Sequence, residues 1–173
     1  SQEFDTIDLT NSESLSQQVI TKISNVTSSI TSIVNDISTK KDLIEKNKTE
    51  SENQAKSYSA EISSLSSIVA QISYESGFIN IIESANTEAN NHKTSLGQKL
   101  TLFNALDLTN STTLKNDLLT SINQSIQAID EKIVKIQEKL TSLESEKSQN
   151  ETVANNYVND MESLVNAITL PNY

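Results

Sequence analysis

The residues of this chain that could do chemistry are one histidine, scattered carboxylates and a pair of tyrosines. His92 is the only histidine and lies in the polar run Asn90-Asn91-His92-Lys93. No Glu-x-x-His pair occurs, so the di-metal site that such pairs build inside helical bundles is not predicted. The chain has no Cys, which removes thiolate nucleophiles and Cys-based metal sites. We therefore predict no enzyme activity, no metal site and no cofactor, and we interpret His92 as a solvated residue at a helix end.

Other short motifs add little chemistry. The sequence contains no calcium loop, phosphate-binding glycine loop or nucleophile elbow. A chain with 19 Asn and this much Ser and Thr contains about five N-x-S/T acceptors by chance, so the acceptors alone do not indicate a glycoprotein. The acceptors are Asn25, Asn47, Asn110, Asn123 and Asn150.

Two tyrosines hold equivalent positions in two apolar stripes, Tyr58 one turn before Ile62 and Tyr157 one turn before Met161. One interpretation is core packing with each hydroxyl at the rim. The other is that the two hydroxyls guard an apolar cavity between helices. The predicted lining of that cavity is Tyr58, Ile62, Leu65, Tyr157, Met161 and Leu164.

The elements that carry these residues belong to an internal repeat with a period of 99 residues. The block Asp-Leu-Thr-Asn-Ser stands at 8–12 and again at 107–111. Without gaps, 19 of the 67 aligned positions from Phe4 to Ala70 are identical. A gapless register of this length favours tandem duplication over shared composition. It is compatible with a duplicated four-helix domain or with part of a longer array.

The spacing of apolar residues predicts an all-α fold. Steps of three and four alternate, as in coiled-coil seams, and only two Gly and one Pro interrupt the chain. We expect an elongated antiparallel bundle built from two tandem helical hairpins. The predicted helices cover about 12–48, 51–91, 111–147 and 150–169, with a connector helix at about 94–106.

The ends of these helices are predicted from the polar, glycine and proline residues between the apolar stripes. A turn is expected at 47–53, and the second helix is expected to continue through Gly77. Asn11 or Ser12 is expected to cap the first helix, with Glu13 in its first turn. Phe4, Ile7 and Leu9 are expected to pack, and Pro171 to end the last helix. The two repeat units, 1–106 and 107–173, are expected to pack as one bundle.

Charge and composition exclude several classes of partner. The net charge is −10, and all 13 basic residues are Lys. Because Arg supplies the bidentate contacts to phosphates and bases, an acidic chain without Arg is a poor ligand for nucleic acids and anionic membranes. No apolar run approaches the length of a membrane span. A surface rich in Ser, Thr and Asn favours an extracellular or cell-surface location.

These observations favour a non-enzymatic structural or interaction module. It would be a helical-repeat spacer, stalk or binding segment of a larger protein, with a protein partner or self-association. One alternative is a carrier that holds a lipid, a fatty acid or another small apolar molecule between the helices. A further alternative is a secreted helical effector or toxin component.

Overall fold

The computed structural model describes Thr10 and residues 12–168. These residues form three helices and no strand: α1 Glu13–Gln71, α2 Ile79–Asn104 and α3 Thr112–Ala167. The predicted all-α class is therefore confirmed. The chain divides into two compact units, with the boundary between Glu50 and Ser51. The expectations for Phe4, Ile7, Leu9 and Pro171 lie outside the described residues.

The second unit contains a three-helix bundle. Its helices are the part of α1 from residue 51, all of α2, and the part of α3 up to residue 143. Their buried apolar side chains recur at steps of three, four or seven residues, as expected for helices that share one core. The buried core includes Ala55, Ile62, Val69, Ile82, Ala85, Ala89, Leu96, Phe103, Leu108, Ile122, Ile129, Ile133, Ile136 and Leu143.

Polar contacts between helices give the directions within the bundle. The hydroxyl of Ser111 donates a hydrogen bond to the carboxylate of Glu52. Further along both helices, Lys132 Nζ donates to the backbone oxygen of Ala70 at 3.1 Å. The contact further along α1 is also the one further along α3, so these parts of the two helices are parallel. The intervening α2 returns antiparallel to both.

The turn predicted at 47–53 is wrong, because α1 is helical throughout this stretch. Lys46 and Glu50 form an ion pair with atoms 3.8 Å apart, and the hydroxyl of Thr49 donates to the Glu45 carbonyl at 2.9 Å. A polar stretch without Gly or Pro lacks the residues that break a helix, and its side chains are satisfied in solvent. The predicted break near 148–150 is likewise replaced by continuous α3.

The expected continuation of a helix through Gly77 is also wrong. α1 ends at Gln71, and residues 72–78 connect it to α2. Lys132 binds the Ala70 carbonyl there, and its Nζ lies 4.6 Å from the ring centroid of Tyr74. A cation at a helix C-terminus satisfies carbonyls that have no partner within the helix. The reversal lets α2 cover the apolar faces of the other two helices.

The predicted connector helix is the second half of α2, which runs unbroken to Asn104. The chain reverses at the second copy of the repeated block. Asp107 Oδ1 accepts hydrogen bonds from the backbone nitrogen of Thr109 at 3.1 Å and from its hydroxyl at 2.7 Å. These bonds, with the hydroxyl contributing most, lower the pKa of the Asp107 carboxyl. Leu108 is buried, so this turn is tied to the core. The predicted division between 106 and 107 falls within it.

Candidate association surfaces

No constellation for metal chemistry occurs in the described part of the chain. Thr10 and residues 12–168 contain no group of three His, Cys, Asp or Glu residues that could hold a metal ion. His92 lies in the middle of α2 and is half-buried, so its predicted place at a helix end is wrong. The polar run around it continues the helix because Ala89 and Leu96, one turn before and one turn after His92 on the same face, are buried in the core.

The six residues predicted to line a cavity lie in two different environments. Ile62 is buried in the bundle, and Tyr58 and Leu65 pack against the same core. Their counterparts on α3 are exposed: Tyr157 is 65% exposed, and Met161 and Leu164 have similar values. The three α1 residues are thus brought together, while the three α3 residues remain on the surface of the chain. The carrier hypothesis stays a prediction.

Open grooves lie along the described part of the second unit. One of about 730 Å³ is lined by Ile68 and Ile81, near the end of α1 and the start of α2. Another of about 640 Å³ is lined by Phe78 and Ala154. A third of about 540 Å³ follows the surface of α3 around Val134. Charged side chains share each lining, and none of the three grooves includes any of the six predicted cavity residues.

A partly exposed polar cluster joins α1 and α2. The Lys99 Nζ lies 2.6 Å from a carboxylate oxygen of Glu61 and 5.8 Å from the ring centroid of Tyr58. The hydrogen bond from Lys99 lowers the pKa of the Glu61 carboxyl below 4.5, against a smaller opposing effect of burial. The same hydrogen bond raises the pKa of Lys99 above 10.5. Both shifts favour the charged pair.

This pair predicts a pH-dependent stability. A lowered carboxylate pKa stabilises the fold above the unfolded-state value, and the contribution is lost as pH falls through the folded-state value. The raised pKa of Lys99 gives a contribution that is lost at alkaline pH, as pH rises through the folded-state value. We expect Glu61→Gln to lower the melting temperature at neutral pH, with the difference shrinking below pH 4.5.

Thermal melts followed by circular dichroism across this pH range measure the effect. Glu138→Gln is the matched control, because it removes the same charge at an exposed position of α3, and its effect on the melting temperature should be small. A Glu61→Gln difference that stays constant into acid would contradict the assignment, because protonated Glu61 can no longer form the ion pair.

The first unit carries an exposed apolar stripe. We define the leading segment as residues 12–50, and the leading stripe as Ile23, Ile30, Val34, Ile37 and Ile44. Ile23 is half-buried, and the other four are more than half exposed. Removing a side chain of this size from water contributes about 1.5–3 kcal/mol. Four apolar side chains of this size therefore remain exposed along one helix.

The end of α3 carries a second exposed stripe. We define the trailing segment as residues 144–168, and the trailing stripe as Ala154, Tyr157, Met161, Leu164 and Ile168. All five are exposed, although their spacing of three and four residues matches that of the buried α1 core. The exposure of the five glycosylation acceptors does not distinguish these two segments from the bundle, because all five acceptor Asn residues are exposed.

Sequence reasoning placed these residues on apolar seams but did not distinguish the buried copy of each seam from the exposed copy. A signal was present in the repeat arithmetic. At a shift of 99 residues, 12–50 aligns with 111–149, and 51–69 aligns with 150–168. Residues 79–104 have no complete aligned copy, so they are the one segment of the α2 type. One complete three-helix set can therefore form from it.

No protein family, curated protein or solved structure is significantly similar to this chain. Within Thr10 and residues 12–168, no helix has the length and apolar character needed to cross a membrane.

Proposed function

We propose that this chain is a non-enzymatic structural module, a helical-repeat spacer within a larger extracellular or cell-surface protein. In this proposal, three-helix bundles follow one another every 99 residues, and each long helix belongs to two successive bundles. The observation that carries it is the continuity of α1 and α3, which join a bundle segment to a segment with an exposed apolar stripe.

The starts of the two long helices support the 99-residue period. α1 begins at Glu13 and α3 at Thr112, which is 99 residues later. The same backbone bond opens each helix: Ser16 donates to the Ser12 carbonyl at 3.0 Å, and Lys115 donates to the Ser111 carbonyl at 2.9 Å. The sequence repeat and the helix starts therefore have the same register.

The core positions support it as well. Ile122, Ile129, Ile133, Ile136 and Leu143 are buried in the bundle, and 99 residues earlier each corresponds to a member of the leading stripe. The trailing stripe corresponds in the same way to Ala55, Tyr58, Ile62, Leu65 and Val69. Repeats whose units cannot bury their apolar faces alone become stable by packing against neighbours.

An extended chain tests this proposal. Residues 75–173 are appended after Tyr173, so that Tyr173 takes the place of its counterpart Tyr74 before Glu75. The appended copy supplies the missing segment of the α2 type. We expect backbone amides of 150–168 to exchange hydrogen much more slowly in the extended chain than in the 173-residue chain, because the trailing stripe becomes a bundle core.

Met161→Asp is the matched control for the extended chain. Its counterpart Ile62 is fully buried, whereas Met161 is exposed in the present chain. In dilute solution, the substitution should abolish the new protection in the extended chain and leave exchange in the 173-residue chain unchanged. Unprotected amides at 150–168 in the extended chain would overturn the proposal.

A further inference from the structure

We propose that separate copies of this chain associate head to tail. The trailing segment of one copy packs parallel to the leading segment of a second copy, in the register that places Glu151 beside Ser12. This inference rests on the proposed function, because it uses the same 99-residue correspondence, and it adds the identity of a partner.

The register comes from a contact observed inside the chain. In the bundle, α1 and α3 are parallel, and the Ser111 hydroxyl donates to the Glu52 carboxylate. Ser12 lies 99 positions before Ser111, and Glu151 lies 99 positions after Glu52. Both members of the pair are identical to their counterparts, so the same hydrogen bond can form between the two exposed segments.

The apolar faces fit the same arrangement. The part of α1 that packs in the bundle corresponds position by position to the trailing stripe. The part of α3 that packs in the bundle corresponds in the same way to the leading stripe. Each buried apolar member of this interface has an apolar counterpart on the exposed segments. Ser59 and Ser125, the buried serines of the interface helices, correspond to the apolar residues Val158 and Val26. At the buried positions of this interface, the intermolecular faces are therefore at least as apolar as the internal ones.

Charge disfavours the pairing of two trailing segments. Residues 12–50 contain five acidic residues and five lysines, so the leading segment is neutral overall. Residues 144–168 contain five acidic residues and one lysine, which leaves the trailing segment at −4. Two trailing segments would repel each other, whereas a trailing and a leading segment would not. Because the contacting surfaces differ, the contact is heterologous and can continue into open linear assemblies.

Site-directed cross-linking tests the pairing, and the absence of Cys makes it clean. Ser12→Cys and Glu151→Cys are prepared as two separate proteins, mixed, and treated with a short bifunctional maleimide. Random collisions give twice as much mixed dimer as either like dimer. We expect the mixed dimer to exceed this ratio strongly, with peptides around positions 12 and 151 joined in the mass spectrum.

Two controls calibrate the reagent and the surface. A chain carrying Glu52→Cys and Ser111→Cys together should cross-link within one molecule, since these side chains touch. Ile30→Asp in the Ser12→Cys protein should abolish the excess of mixed dimer, because it places a charge on the leading stripe. Ser28→Asp, whose counterpart Gln127 is exposed in the bundle, should leave the excess unchanged.

The outcomes separate this inference from the proposed function. Like dimers, or a statistical mixture, would overturn head-to-tail association. If amides at 150–168 were nevertheless protected in the extended chain, the repeat-array proposal would stand without it. If those amides also stayed unprotected, both proposals would fall.

Discussion

Replacing Phe103 by alanine is expected to lower the free energy of unfolding of the bundle by about 3–5 kcal/mol. Phe103 is 1% exposed and is the largest fully buried side chain among the described residues. It lies in the last turn of α2, next to the turn that leads into α3. Its removal loses the transfer free energy of the ring and leaves a cavity that two helices and a short turn cannot fully close.

Phe78→Ala is the matched control, because Phe78 is 70% exposed. We expect its effect to stay within about 0.5 kcal/mol. Urea unfolding, monitored by hydrogen exchange of core amides, measures the stability of both variants. This readout reports on the bundle separately from the exposed helical segments. Equal effects of the two substitutions would show that Phe103 does not lie in a core.

A second large effect is expected at a pair of repeat-equivalent isoleucines. Ile129 is 1% exposed, and its counterpart Ile30 is 56% exposed. We expect Ile129→Ala to destabilise the bundle by about 2–5 kcal/mol, since it removes a buried side chain from the middle of the core. In dilute solution, Ile30→Ala is expected to change stability by no more than about 0.5 kcal/mol.

This comparison keeps the residue type and the position in the 99-residue repeat constant, while the burial of the side chain differs. Unfolding in urea at low protein concentration measures it. A large effect of Ile30→Ala under those conditions would mean that the leading stripe is already buried in the isolated chain. At concentrations where copies associate, the same variant should weaken that association.

Much of the helical structure could be predicted from the sequence. The stripe through Ile122, Ile129 and Ile136 predicted a helix starting near 111, and α3 starts at Thr112. Glu13 lies in the first turn of α1, as the dipole argument predicted. These features are local, because apolar periodicity and the charge at a helix end act within a few turns of one helix.

The turns were harder to predict. The polar stretch 47–53 resembles a loop in composition, yet it continues α1. The mixed stretch 72–78, which contains Gly77, interrupts the helical pattern. An exposed polar helix costs little, whereas a reversal is favoured where it brings a third apolar face onto two others. That gain depends on residues far apart in the chain, such as Lys132 beside Ala70.

The sequence by itself determined that this protein is helical, where its apolar stripes lie, and that the stripe of 114–143 resembles the stripe of 15–44. Only the tertiary structure decided which copy is buried. Ile129 and Ile30 are the same residue in the same local pattern, but α2 covers the segment of α3 that contains Ile129. Burial depends on the neighbours available in space, and the described chain supplies one segment of the α2 type.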